Sequence, residues 1–297
     1  MSVEIARADS LAVGFRGQPV WSDASFRVNR GEFVAVIGPN GAGKTTLFRL
    51  LLGTVRPTAG SLTVFGGTPR RGNPKIGYVP QNHAVDRETN VEAGQLVRLA
   101  YACGRHRPSS AVSMDPAGAP APAPSRLSRL ADVLYAYAPN VTPRMVRTER
   151  EAVDAALSSV RATELAHKSL GAMSGGELQR IFLAEALASR PEILLLDEPL
   201  ANLDLRRARE FVELVHNLVQ TQEVATLLVA HDINPLIRCL DKVIYLANGR
   251  VATGTPEEVL TTESLSRLYG VPVEVLRDSR GNLVIVGGED THGAENA

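Results

Sequence analysis

Residues 33–45, FVAVIGPNGAGKT, decide the fold. The opening FVAVI is an apolar run typical of a strand covered on both faces of a parallel sheet. The rest matches G-x-x-x-x-G-K-[ST], and a helix-like run follows from Leu47. Glycines let successive N–H groups converge on phosphate oxygens, and the following helix N-terminus adds partial positive charge. The stretch predicts a nucleotide-binding α/β protein in which Lys44 reaches the β- and γ-phosphates and Thr45 ligates Mg²⁺.

The composition sets the class of protein. The sequence has 297 residues, of which 44% are hydrophobic and 22% charged, as expected of a globular chain. Its 32 basic and 32 acidic side chains balance, which argues against a generic nucleic-acid binder. No apolar run approaches the roughly 18 residues of a membrane span. If the protein works at a membrane, we expect a partner to hold it there.

Alternating apolar and polar residues predict an α/β core interrupted by a mainly helical segment. The core is expected over residues 1–280, the helical segment over 84–170, and a tail over 281–297. Residues 108–125, rich in proline and alanine, are predicted to form a flexible surface insertion. Strands are predicted at 3–5, 24–28, 33–37, 61–65, 76–79, 193–196, 225–230 and, edge-like, at 242–247; helices are predicted at 205–219 and 257–269, and a final hairpin at 273–276 with 283–286.

The stretch ILLLDE, residues 193–198, predicts an acidic pair at a strand end. Asp197 is placed to hold Mg²⁺ through water, and Glu198 to polarise an attacking water. Apolar runs ending in an acid also occur at helix starts. This stretch alone therefore leaves open whether it is an acidic pair at a strand end or an ordinary helix start.

Two further stretches carry polar residues at element ends. MSGGE, residues 173–177, precedes a helix, and its free N–H groups and Ser174 hydroxyl suit either an anion site or a simple helix N-cap. ATLLVAHD, residues 225–232, places His231 after a buried strand, where a γ-phosphate would lie if the strands share one edge. A lone histidine in that position is more often structural. His231, however, follows two other elements that are expected to face phosphate, which favours a role in the same phosphate site.

These segments, in this order, resemble the ATP-binding cassette ATPases of ABC transporters. The resemblance implies a P-loop NTPase core of ABC type with an N-terminal antiparallel β subdomain and an inserted α-helical subdomain. It also implies that Lys44, Glu198 and His231 are catalytic, and that Thr45, Gln81 and Asp197 hold Mg²⁺. The residues implied to bind ATP are Phe15, Gly38, Pro39, Asn40, Gly41, Ala42, Gly43, Lys44, Thr45, Thr46, Gln81, Ser174, Gly175, Gly176, Glu177 and Asp204.

The sequence departs from the family pattern in places. MSGGE stands where LSGGQ is usual, and the retained Ser174 and glycines imply that phosphate binding survives. Phe15 stands where an aromatic ring stacks on adenine. Trp21 is an alternative candidate for stacking on adenine, although we expect it to pack beneath the sheet.

The resemblance further implies a head-to-tail pair of copies, in which each ATP lies between the 38–45 loop of one copy and the Ser174 turn of the other. An integral membrane permease would hold the pair at the cytoplasmic face of the cell membrane, and an extracytoplasmic substrate-binding protein would act indirectly. The segment from 231 to 276 is similar to ATPases of manganese, zinc and iron uptake. Alternatives are an iron-siderophore or haem importer, an exporter, a soluble ABC ATPase, and a nucleotide-regulated module without hydrolysis.

Overall fold

The computed structural model describes residues 3–81, 85–105, 143–201, 203–279 and 282–286. The chain divides into two compact units, one made of Met1–His83 with Glu192–Ala297 and the other of Ala84–Pro191. The insertion predicted at 108–125 lies outside the described residues, as does the tail from 287 onwards.

The first unit contains an antiparallel sheet of order β2-β1-β4. Strands β1 (Glu4–Phe15) and β2 (Gln18–Asn29) are joined by Arg16 and Gly17, both with positive φ. Two such residues form the tight turn whose twist matches paired strands. Strand β4 (Ala59–Val64) pairs with β1 on its other side. The sequence pattern predicted only short parts of β1 and β2, because irregular pairing along them interrupts strict alternation.

The second sheet of this unit is six-stranded and mostly parallel, with the order β5-β6-β7-β3-β8-β9. Only the last pair, β8 with β9, is antiparallel. The strands in chain order are β3 (Phe33–Ile37), β5 (Ile76–Val79), β6 (Ile193–Asp197), β7 (Ala225–Val229), β8 (Lys242–Ala247) and β9 (Arg250–Gly254).

The prediction that Lys242–Ala247 is edge-like was wrong. This strand pairs with β3 on one side and with β9 on the other, so it lies inside the sheet. The turn between β8 and β9 consists of Asn248 and Gly249, both with positive φ. An Asn-Gly pair is a strong hairpin signal. The hydrophobic pattern does not predict this hairpin, because β9 is short and its residues are exposed or half-buried.

The core of the first unit lies on both faces of the main sheet. One face packs against the antiparallel sheet and helix α1 (Lys44–Leu51), with Trp21, Phe48 and Leu195 in one buried cluster. Helix α5 (Leu205–Gln222) has its own buried apolar stripe, and its His216 ring stacks on Phe33 of β3. Strands buried on both faces explain the continuous apolar runs of the sequence.

The C-terminal part ends in two short helices and a hairpin. Helix α6 (Pro256–Val259) and helix α7 (Thr262–Tyr269) are separate, whereas the sequence predicted one helix over 257–269. The break arises because Thr261 caps a new helix, its side chain accepting the Ser264 N–H. The hairpin of β10 (Glu274–Arg277) and β11 (Leu283–Val286) was predicted and is present.

The second unit is built from helices α2 (Ala93–Arg105), α3 (Pro143–Ser159) and α4 (Gly175–Leu187), which pack against one another. Two 3₁₀ turns, Thr163–Leu165 and Leu170–Ala172, lead from α3 to α4. The unit extends to Pro191, so it includes the MSGGE turn. Within the described part of the chain, no helix is long and apolar enough to cross a membrane.

Candidate functional site

Four neighbouring strands of the main sheet end at one edge. Their order is β5, β6, β7 and β3, and all run parallel. Beyond these ends lie Gln81, Glu198, His231 and the 38–45 loop respectively. In open α/β sheets, ligands bind outside the carboxyl ends of parallel strands. The topology thus brings segments far apart in sequence to one place.

Lys44 is held by its own loop. Its Nζ donates to the carbonyl oxygens of Gly38 at 2.7 Å and Pro39 at 3.0 Å, and the residue is 5% exposed. Burial lowers the pKa of Lys44, while the carboxylates of Glu198 and Asp197 act in the opposite direction. These two acids face the lysine, so the loop presents a cation beside an acidic pair.

The loop packs closely against strand β2. Gly43 has a φ of 92°, and an added Cβ there would lie 2.5 Å from Val20 Cγ1 and 2.7 Å from Trp21 Nε1. Only glycine fits both the backbone conformation and the space. Trp21 is 1% exposed, which confirms that it packs in the core and excludes it as an adenine stacker. Phe15 is 44% exposed, as an adenine-stacking ring would need to be.

Asp197 is a buried carboxyl, 2% exposed. Burial, followed by the charge of Glu198, raises its pKa, and hydrogen bonding from Thr45 and Tyr78 acts against this. The Tyr78 hydroxyl makes a long bond of 3.4 Å to Oδ2. Oδ1 has no hydrogen-bond partner among the residues that the structure describes. A buried oxygen left without a partner is costly unless a ligand satisfies it.

Glu198 is the centre of the acidic cluster. Its Oε1 lies 2.8 Å from His231 Nε2, and its Oε2 accepts a hydrogen bond from Gln81 Nε2. Its backbone has a φ of 51°, and its N–H donates to Val229 O of the neighbouring strand. Strained backbones of this kind persist where surrounding structure fixes them, and they concentrate at functional sites. The carboxylate contacts side chains that follow the two neighbouring strands.

The MSGGE turn begins helix α4 in the helical unit. Ser174 is the N-cap, its hydroxyl accepts the Glu177 N–H, and Glu177 in turn accepts the Ser174 N–H at 2.7 Å. This is a complete capping box. Asp204 likewise caps helix α5, accepting the Arg207 N–H at 2.9 Å.

Sequence reasoning missed two contacts of the predicted site residues. Tyr78 bonds to Asp197 across neighbouring strands, and Lys168 bonds to Glu177 across a nine-residue separation. The register of β5 against β6 places Tyr78 opposite Leu195, two residues before Asp197. Alternation along strands could have suggested the first contact, whereas no spacing rule predicts the second.

Comparison with known proteins decides the family. The model of the family described as ABC transporter matches residues 21–201. The chain belongs to this family. It is an ATP-binding cassette that binds and hydrolyses ATP. The predicted fold class and enzyme class are therefore confirmed.

Relatives and a solved structure agree with this assignment. The chain is 29% identical to the manganese transport system ATP-binding protein MntB of Bacillus subtilis, covering 91% of this chain and 94% of that protein. It is 31% identical to the zinc import ATP-binding protein ZnuC of Pseudomonas aeruginosa, covering 91% and 81%. An ABC transporter of metal-chelate type, solved in an inward-facing conformation, superposes with a TM-score of 0.71 at 23% identity, covering 96% of this cassette and 98% of that chain. At 23% identity, this structural match shows only that the two chains share a fold.

Proposed function

We propose that this cassette energises import of a metal ion, manganese, zinc or iron, through a separate membrane permease. The support for the cargo is the likeness to MntB and ZnuC along nine tenths of the chain. The support for the chemistry is one observation, the contact of Glu198 with His231 at the sheet edge that also carries Lys44.

The geometry supports hydrolysis in the following way. The amides of the 38–45 loop and Lys44 bind the phosphates, with Lys44 exchanging its loop carbonyls for phosphate oxygens. Glu198 orients a water and takes its proton as the oxygen attacks the γ-phosphorus. The bond to the β-phosphate oxygen breaks, and ADP and phosphate leave. His231 donates a hydrogen bond to the γ-phosphate, where it stabilises developing charge.

The residues fit a magnesium ion. Hard cations prefer oxygen ligands, and the Thr45 hydroxyl, the Gln81 amide oxygen and Asp197 Oδ1, which has no hydrogen-bond partner in the described part of the chain, are all oxygens. The ion would neutralise charge on the β- and γ-phosphates when bound. Gln81 donates its amide N–H to Glu198, so its oxygen remains available to the ion.

Two copies are proposed to work head to tail. The Ser174 turn of one copy would close on the γ-phosphate held by the loop of the other, with Gly175 and Gly176 supplying free N–H groups. ATP then holds the copies together, and hydrolysis releases them. Residues near Gln81 and the helical unit would pass this motion to the permease at the cytoplasmic face, with an extracytoplasmic binding protein delivering the cargo.

Glu198→Gln tests the hydrolytic role. We expect the variant to bind ATP, to accumulate as a pair of copies, and to turn over about 10²–10³ times more slowly, because an amide cannot accept the proton. Glu192→Gln is the matched control, since Glu192 precedes the same strand at its other end and bridges Lys75. Near-normal turnover of Glu198→Gln in the purified assembly would show that another group activates the water.

The cargo is tested by reconstitution. The chain, its permease and its binding protein are placed in liposomes, and ATP-driven uptake of radioactive manganese, zinc and iron is measured. We expect uptake of at least one free ion, absent with Glu198→Gln. Uptake of a metal chelate but of no free ion would contradict the proposed cargo and leave the ATPase assignment intact.

A further inference from the structure

Glu177 is paired with a lysine that no sequence motif singles out. Lys168 Nζ donates to Oε1 of Glu177 at 2.7 Å and to Oε2 at 2.9 Å. The same Oε2 accepts the Ser174 N–H at 2.7 Å. The Lys168 side chain is 36% exposed and that of Glu177 is 24% exposed. The pair lies in the helical unit at the start of α4, beside the turn proposed to meet phosphate.

The charge of Glu177 is a problem for a phosphate site. Its hydrogen bonds with Lys168, and then with the Ser174 N–H, lower its pKa to about 2, so it is ionised wherever the ATPase works. An unpaired carboxylate would repel the triphosphate through Coulomb forces, which are weakly screened over a few ångströms. A glutamine at this position would carry no such charge. The chain therefore needs a cation at this point, and Lys168 supplies it.

The turn beside the pair has an open surface. A Cβ added at Gly175 or at Gly176 would meet no atom of the described residues within 4 Å, and neither glycine has a positive φ. Glycine disfavours the helix that both residues begin. No contact within the described part of the chain requires a glycine at either position. We therefore attribute the two glycines to the close approach of a molecule from outside the chain.

We propose that Lys168 is a positioning residue for ATP: it neutralises Glu177 and holds that carboxylate back against Ser174, so that the turn accepts the γ-phosphate of ATP bound by a second copy. This rests on the proposed function, because it takes the turn as half of an ATP site. On this proposal, Lys168 compensates the negative charge that Glu177 brings to the position where LSGGQ has a glutamine.

Two substitutions each remove one charge of the Lys168–Glu177 pair and leave opposite charges unpaired. Lys168→Gln leaves the carboxylate unpaired and is expected to raise the KM for ATP by about 3–10-fold, with a smaller effect on kcat. Glu177→Gln leaves the ammonium unpaired and is expected to lower the KM. Lys168→Gln combined with Glu177→Gln should return the KM towards that of the parent. The KM increase of Lys168→Gln should shrink as salt rises, and Lys168→Arg should have a smaller effect than Lys168→Gln.

The KM for ATP and the thermal midpoint together distinguish an electrostatic role of the pair from a purely structural one. If the pair only holds α4 in place, Lys168→Gln and Glu177→Gln should raise the KM and lower the thermal midpoint alike, and that outcome would overturn the inference. Ser174→Arg, measured beside them in the assembly with its permease, tests the proposed function. If Ser174→Arg leaves ATP turnover intact, the turn is not part of an ATP site. If Ser174→Arg abolishes turnover while the two charge variants behave alike, only the role of Lys168 fails.

Discussion

His231 Nε2 lies 2.8 Å from Glu198 Oε1, although the two residues follow different strands of the sheet. Gln81, beyond a third strand, donates to the other carboxylate oxygen. The carboxylate thus lies between side chains that follow both neighbouring strands. Its orientation is set by the sheet rather than by its own loop, which explains how a strained residue keeps one position.

His231→Ala should slow hydrolysis without weakening ATP binding. Loss of one preorganised donor to the transferring phosphoryl typically costs about 10²–10³ in kcat, and a group acting only in the transition state leaves KM nearly unchanged. Steady-state phosphate release and equilibrium binding of a fluorescent ATP analogue measure the two effects.

His167→Ala is the matched control for this prediction. His167 is an exposed histidine beside Glu92 in the helical unit, with its Nδ1 3.4 Å from Oε2 of that acid. The control should keep the kcat of the parent. If His231→Ala also keeps it, the histidine serves only to orient Glu198 and stabilises no developing charge.

Gly43→Ala should destabilise the cassette more than Gly17→Ala does. Both glycines have positive φ, 92° and 80°, so each alanine carries the left-handed backbone cost of about 1–2 kcal/mol. Only at Gly43 would the new Cβ overlap Val20 and Trp21, which adds about 1–3 kcal/mol of overpacking. Thermal midpoints of both variants measure the difference. Equal midpoints would show that the loop shifts freely off β2.

Asp197→Asn should stabilise the nucleotide-free protein while abolishing turnover. The parent buries a carboxylate whose Oδ1 has no partner among the described residues and which lies beside Glu198. Removing that charge is expected to raise the free energy of unfolding by about 1–2 kcal/mol, a trade of stability against function seen at many active sites.

The pH dependence of this effect has a definite sign. Because the folded pKa of Asp197 is raised above its unfolded value, ionisation costs stability. The cost is complete above the folded pKa and absent below the unfolded pKa. The advantage of Asp197→Asn should therefore be largest at neutral pH and shrink on acidification, as thermal melts across pH would show. A variant less stable than the parent at every pH would contradict the account.

The contiguous parts of the site were predictable from the sequence. The loop residues 38–45 and the pair Asp197 and Glu198 form short patterns whose chemistry is local, and each pattern lies at the carboxyl end of a buried strand that hydrophobicity alone reveals. The rule that parallel strands end at one edge then brings His231 to the same place. The α/β core with an inserted helical segment follows from the same observations, the resemblance implied its division into ABC-type subdomains, and the fold class is confirmed.

Other contacts could not be read from any window of sequence. Gln81 and Glu198 are 117 residues apart, and their hydrogen bond depends on the order of strands in the sheet. The pairing of Lys168 with Glu177 depends on the 3₁₀ turn Leu170–Ala172 between them, which carries no periodic signal. Long-range pairing is decided by tertiary packing, so the residue roles at these positions stay predictions until they are measured.

The proposed head-to-tail arrangement places each ATP between the loop of one copy and the Ser174 turn of the other. It is tested most directly with mixed pairs of Lys44→Ala and Ser174→Arg, tagged differently and purified with the permease through both tags. A pair made of only one of the two variants has no intact site, whereas the mixed pair has one. Mixed pairs should regain about half of the wild-type ATPase activity, since one of two symmetric sites is whole. Mixed pairs as inactive as the pairs of either variant alone would contradict the head-to-tail arrangement.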